Sequence, residues 1–266
     1  MLQIDGYSNP VSALIEQGYL AEPIMKTVAS EAGLHLSARD QQLLAKSFDI
    51  PSDIIASLAS DEQWNLKVVQ TVLELLERQH RRILVFAASV DHCRLIAAVL
   101  SALGLDADFV TGESSPRHRN DAIRRFKGSG RRPMILCNFG VLTTGFDAPA
   151  ASAAVIARPT KSLVLYSQMV GRVIRGPKAG GTATCEIVTV VDPELPGSET
   201  WPRHSPTGKT YGRPRDRRGK QIPDRQPFAD RQGHARQRLQ EHRLRARRAD
   251  RQQHRRESHT GTGLRL

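Results

Sequence analysis

Aromatic residues make up only 5% of the 266-residue sequence, and its apolar fraction of 39% is low for a globular chain. It has no uninterrupted apolar run of the length a membrane helix requires, so no membrane-spanning helix and no membrane partner is expected. Met1-Leu2-Gln3-Ile4-Asp5-Gly6 offers neither a basic stretch nor an apolar one, so no signal peptide is expected and a cytoplasmic location follows as the expectation. Cysteine is scarce. Cys93, Cys137 and Cys185 lie far apart, without CxxC spacing and each within apolar sequence, which points to three reduced core thiols. Acidic residues are outnumbered, 27 against 39 Lys and Arg, but the imbalance is local. Residues 201–266 hold 19 basic and 6 acidic residues, whereas residues 1–200 hold 20 and 21. The basic character therefore belongs to the tail and does not make the rest of the chain a nucleic-acid binder.

Periodicity divides the chain into three parts. Residues 1–80 read as a helical lead-in or connector. Asn9-Pro10 places a cap residue before a first-turn proline, Ser37-Ala38-Arg39-Asp40 resembles a capping signal, and Leu66, Val69, Leu73 and Leu76 keep helical spacing. Residues 81–196 alternate strands with helices. Ile83–Ala87 is a continuous apolar run, as for a strand buried on both faces, and Ser89 can cap a helix that Gly104 ends. Ala107–Val110, Met134–Cys137, Ala153–Ala157 and Cys185–Val191 read as further strands, with helices from Ser115-Pro116 and over about Ser162 to Ile174. This alternation predicts an α/β domain with a mainly parallel, covered sheet and flanking helices. Residues 197–266, rich in Arg, Gln, His and Pro with only Trp201, Tyr211 and Phe228 as aromatics, predict a disordered basic tail.

Two stretches carry the chemistry. The first, Val141-Leu142-Thr143-Thr144-Gly145-Phe146-Asp147-Ala148-Pro149, follows a buried strand, and so is expected on the carboxyl rim where open α/β sheets bind ligands. Gly145 allows close backbone approach to a phosphate or a neighbouring loop, and Asp147 could accept from a ribose hydroxyl or orient an arginine. The second, Tyr166 to Gly176, spaces Gln168, Arg172 and Arg175 by four and three, on one face of the expected helix. Two guanidinium groups there suit a polyphosphate, while two solvated arginines at a helix end account for the same pattern.

Together these stretches resemble motifs V and VI of the second RecA-like domain of superfamily 2 helicases. Phe86-Ala87-Ala88-Ser89 is similar to motif IV, Thr111-Gly112-Glu113 to the loop after the next strand, and Gln168 to Arg175 to the Q-x-x-G-R-x-x-R form of motif VI. The nearest flavour is the bacterial DEAD/DEAH-box group that includes DNA repair and restriction-type helicases, and the resemblance covers roughly residues 10 to 195. It implies a RecA-like fold in which Arg172 and Arg175 act as arginine fingers on ATP held with Mg2+ by a first RecA-like domain. It implies nucleotide or coupling contacts for Gly145, Asp147, Gln168 and Gly171. Nucleic-acid backbone contacts fall to Thr111, Gly112, Asn138 and Thr144, with DNA ahead of RNA as the partner. Met169 stands where many members carry an arginine.

A phosphate loop is not found in this sequence. Gly208-Lys209-Thr210 lacks the glycine five residues earlier, where Arg203 stands, and Asp61-Glu62 follows a helical rather than a strand pattern, so it reads as a helix start. Arg117-His118-Arg119 has no second ligand nearby and reads as a solvated helix face. The expected activity is that of the C-terminal motor half of an ATP-dependent helicase or translocase, inactive alone, with its first half supplied in trans or lost by truncation. A non-enzymatic nucleic-acid binder using the tail, or a truncated and frameshifted helicase remnant, is the alternative. For the tail itself, an evolved basic arm and a shifted reading frame near residue 197 stand side by side. Limited proteolysis of the full chain is expected to leave a protected fragment ending near residue 196; protection extending to residue 250 would contradict this division.

Overall fold

The computed structural model describes residues 10–30, 34–128, 130, 132–141, 148–193 and 195. They begin with α1 (Pro10–Glu16), β1 (Glu22–Ala29), α2 (Ala38–Lys46), α3 (Ser52–Ser60) and α4 (Glu62–Glu77). The main alternation then runs β2 (Arg82–Phe86), α5 (Val90–Ala102), β3 (Asp106–Thr111), α6 (Pro116–Lys127) and β4 (Met134–Phe139). It ends with β5 (Ala153–Ile156), α7 (Leu163–Val170) and β6 (Thr184–Val191).

The six strands form one sheet in the order β1-β6-β5-β2-β4-β3, and every neighbouring pair is parallel. The central strand β2 is buried at all five positions, which is why its sequence is continuous rather than alternating. Alternate side chains along the strands fill two cores, one on each face of the sheet. Ile83, Val85, Ile135, Cys137 and Val155 pack on one face against α2 to α5, with Trp64 and Leu75 at its centre. Leu84, Phe86, Leu136 and Ile156 pack on the other against Phe126 of α6 and Met169 and Val170 of α7. The three thiols lie within these cores, and burial pushes Cys93 and Cys185 up to about 12.

The capping signals act as read. Ser37 and Asp40 close a capping box on α2, Asp61 caps α4 by accepting from the Trp64 amide at 2.8 Å, and the Ser89 hydroxyl accepts from the His92 amide. Gly104 follows α5 at a φ of +82°, the left-handed turn that ends the helix.

Residues 22–29 depart from the run of helices expected for the lead-in. They form β1, the edge of the same sheet, with Glu22 opposite Thr184 and Ala29 opposite Val191. The proline at position 23 is tolerated because an edge strand has one side free of ladder bonds. Glu186 of β6 secures this edge. Its carboxylate, 5% exposed, meets Lys26 Nζ of β1 at 2.7 Å and Arg78 at the end of α4 at 2.5 Å. Burial alone would raise its pKa; the hydrogen bond and charge of Lys26, with Arg78, outweigh it and hold the carboxyl below its usual range.

Arg82 closes the opposite part of the sheet. It opens β2 at 6% exposure, and its guanidinium donates to the carbonyls of Phe126 and Arg132 at 2.8 Å and of Gly130 at 3.0 Å. The fork thereby satisfies backbone acceptors of the α6–β4 connection that would otherwise be buried without donors. Arg82→Leu is expected to lower stability by about 2–4 kcal/mol in urea unfolding, and Arg82→Lys, with a point charge in place of the fork, to recover only part of it.

Candidate functional site

Because all strands run the same way, the sheet has one carboxyl rim and one amino-terminal edge. The segment carrying Arg172 and Arg175 lies at the second. The expected helix over Ser162 to Ile174 is shorter than its spacing suggested: α7 starts after Ser162, whose hydroxyl accepts from the Leu165 amide, and ends at Val170. Gly171 caps it, and the amides of Arg172 and Val173 bond three residues back, to Met169 and Val170. Arg175 then leaves the helix for a β-bridge with Leu20. Gln168, Arg172 and Arg175 therefore do not share a helical face. The competing interaction is with the backbone between α1 and β1, where Ala21 donates to Ile174 at 3.1 Å and Gly176 to Tyr19 at 3.0 Å.

This places two half-buried arginines on a segment held from both sides. Thr182 donates to the Arg175 carbonyl at 3.1 Å, and Gly181 to that of Gly176 at 2.9 Å. Glycine is needed here for space. A Cβ at Gly176 would stand 2.4 Å from the Gly18 carbonyl oxygen, and one at Gly181 would stand 2.0 Å from that of Arg175. A Cβ at Gly180 would lie 3.5 Å from Pro149 Cβ, so the described end of the 141–149 stretch abuts the loop carrying Arg175. Gln168 is exposed on α7, while Met169 is buried beneath it. Thr144, Gly145 and Asp147 lie outside the described residues.

At the carboxyl rim, Gly112 is exposed and a Cβ there would meet nothing within 4 Å. Two neighbours expected to touch a nucleic-acid backbone are placed differently. Thr111 is fully buried, and its hydroxyl accepts from the Glu113 amide at 3.3 Å. Asn138 is 1% exposed and donates through Nδ2 to the Val85 carbonyl at 3.0 Å, between β4 and β2. Strand alternation turns both side chains into the core, so each faces a protein partner behind the rim. Nor is the 117–119 stretch simply solvated. Arg119 donates to the Thr111 carbonyl at 3.1 Å, and His118 Nε2 lies 2.8 Å from the Phe109 carbonyl.

Sequence reasoning missed two features of the rim. Asp49, between α2 and α3, accepts from the Thr160 hydroxyl at 3.0 Å and the Lys161 amide at 2.7 Å, clasping the turn that leads into α7. Arg158, two residues past β5, places its guanidinium carbon 5.0 Å from the centroid of the Phe139 ring. Its signal was present, since a basic residue directly after a buried parallel strand must emerge on the carboxyl rim.

A parallel sheet covered by helices on both faces, with these two ends, defines a RecA-like α/β domain. Residues 66–177 match the family model of the helicase conserved C-terminal domain. The chain is similar to IRC3 of Saccharomyces cerevisiae, a candidate ATP-dependent helicase, with 27% identity over 170 residues that cover 64% of this chain and 24% of the relative. It is similar also to the ATP-dependent RNA helicase DRS1 of Candida glabrata, 25% identical over 195 residues, 62% of this chain and 26% of that protein. Among solved structures it shares its fold with the fragment of a candidate HsdR subunit of a type I restriction enzyme from Vibrio vulnificus YJ016. That match has a TM-score of 0.55 at 19% identity and covers 74% of this chain and 36% of the other. Residues 66–177 thus carry a C-terminal helicase domain, and the fold around them is the one shared with that fragment. The chain spans about a quarter of the length of these curated relatives.

The crowding at Gly176 has a measurable consequence. Gly176→Ala is expected to cost about 1–3 kcal/mol in denaturant unfolding and to speed hydrogen exchange at the Ala21 and Gly176 amides. Gly112→Ala, made in open space, should shift stability by less than about 0.5 kcal/mol.

Proposed function

We propose that this chain supplies the second motor half of an ATP-dependent nucleic-acid helicase or translocase, in which Arg172 and Arg175 are the arginine fingers. One observation carries the reading: both lie on a segment pinned by backbone bonds to the α1–β1 connection and to residues 181–182. A finger acts by offering charge where the γ-phosphoryl develops it, and it does so best when its position is already fixed before reaction. The residues present suit that part of the work. Two guanidinium groups can meet phosphate oxygens, and Gln168 and Gly171, with Gly145 and Asp147, line the nucleotide side in this reading.

ATP and its magnesium would be held chiefly by a first RecA-like domain, whose phosphate loop supplies the cradle and whose acidic pair supplies metal ligands. That domain comes from another polypeptide or from the rest of a longer protein. In this reading Gly112 meets the nucleic-acid strand, with Thr111 and Asn138 positioning the rim behind it, and Thr144 keeps the backbone contact its motif implies. DNA stands ahead of RNA as the strand because motif VI resembles the repair and restriction group.

The test mixes the full chain with a separately expressed first RecA-like domain and follows phosphate release, with single-stranded or duplex DNA and with RNA, since DRS1 is named an RNA helicase. Nucleic-acid-stimulated hydrolysis is expected only in the mixture, and Arg172→Ala or Arg175→Ala should reduce kcat on the order of 10³-fold. Hydrolysis that survives both substitutions would remove the finger assignment. Brisk hydrolysis by the chain alone would remove the need for a partner domain.

A further inference from the structure

We propose that Arg158 is a phosphate-binding residue on the carboxyl rim, and that the phosphate it takes belongs to the nucleic-acid strand. The proposal rests on the helicase reading above and adds a contact that the motifs do not contain.

Arg158 lies between the end of β5 and Pro159. A residue before proline is confined to extended backbone, so the position continues the strand onto the rim instead of turning into a helix. From there its side chain crosses the end of β2 to rest on Phe139 of β4, 5.0 Å from guanidinium carbon to ring centroid. This stacking holds the charged group in place. It leaves the donors unused: Nε is buried and nothing among the described residues accepts from it, and no carboxylate among them pairs with the guanidinium. A planar fork with five donors, partly withdrawn from water and fixed on a ring, is prepared for an anion from outside the domain.

The surroundings suit a chain rather than a compact ligand. Phe139 is opposite Thr111 across β3 and β4, so Gly140 and Gly112 follow at the same level of the rim. A Cβ at either glycine would meet nothing within 4 Å, and Gly140 has a φ of +72°. Among the described residues, the exposed Gly140 and Gly112 thus leave open backbone at the ends of β4 and β3, beyond Arg158, where a phosphodiester backbone can approach closely. The nucleotide is the other source of phosphate, and topology sets it apart. Arg175 bridges Leu20, ahead of the first residue of β1, so it lies at the opposite end of a parallel sheet. Arg158 and Arg172 flank α7, whose eight residues span about 12 Å.

The experiment uses the full chain and a residue-specific readout, because the basic tail also binds phosphates. Phenylglyoxal modification of arginines, mapped by mass spectrometry, is compared for the free chain, the chain with a twelve-nucleotide oligo-dT, and the chain with Mg·ATP. Arg158 is expected to react in the free chain, to be shielded at least about five-fold by the oligonucleotide, and to be unaffected by Mg·ATP. Arg158→Ala should weaken oligonucleotide affinity roughly five- to ten-fold and reduce the slope of log K against log salt by about 1, with unchanged melting. Arg158→Lys should keep the slope. If the oligonucleotide binds and shields arginines beyond residue 197 while Arg158 reacts at its free rate, this proposal fails and the helicase reading stands. Shielding by Mg·ATP alone would overturn the strand assignment. If no oligonucleotide binds at all, the nucleic-acid reading itself fails, and this contact with it.

Discussion

One directional constraint organises this domain: every strand of its sheet runs parallel to its neighbours. Parallel neighbours cannot be joined by tight turns, so the chain must cross back over a face between strands. Those crossings become α5, α6 and α7, and the covering they provide is what buries β2 at every position and makes it apolar from Ile83 to Phe86. The same constraint sorts chemistry by end. Residues that follow strands, such as Gly112, Gly140 and Arg158, collect on one rim. The 171–181 loop returns to the other end before β6 begins and brings Arg175 beside Leu20. A parallel sheet thus keeps the groups on its two ends apart by the length of its strands.

The separation is useful only if both ends are stiff, and each is stiffened by segments outside the core alternation. At the amino-terminal end the connection between α1 and β1 supplies the bonds that hold Ile174 to Gly176. β1 is in turn tied to β6 through Lys26 and Glu186, so an acid withdrawn from water becomes a link between elements distant in sequence. At the rim, Asp49 receives Thr160 and Lys161 and fixes the entrance to α7. Residues before the main alternation therefore belong to the working domain, since they hold the site loops in position.

What was legible in the sequence was local. Ser37, Asp61 and Ser89 act as caps because a side-chain oxygen beside a helix start needs only the next three residues to be effective. The strands β2 to β6 were readable from apolar runs between turn residues. β1 was not, because its alternation is short and its partner β6 lies at the far end of the domain. The end of α7 was misread for a related reason: the spacing of Gln168, Arg172 and Arg175 fits a helix, and only the distant backbone of Tyr19 to Ala21 shows why the chain leaves it. Which way Thr111 and Asn138 point was not legible either, because facing is set by register in the assembled sheet. Arg158 escaped notice because stacking on Phe139 joins strands that the linear sequence does not show as close.

Met169 shows how packing limits the electrostatics of such a site. It stands where related motifs place an arginine, and it is 1% exposed, packed in the core with Phe126 and Leu136. A guanidinium at that position would have to leave water without an acceptor waiting, a cost larger than most single contacts contribute. A thioether fills the space with no such demand and anchors the last turn of α7 against the sheet. Arg172 and Arg175 thereby follow the helix instead of forming part of its buried face. Anchoring by Met169 and Val170 and charge from the two arginines are consecutive tasks along one short stretch. Gly171 is the boundary between them: there the α-helix stops and the chain turns toward Leu20.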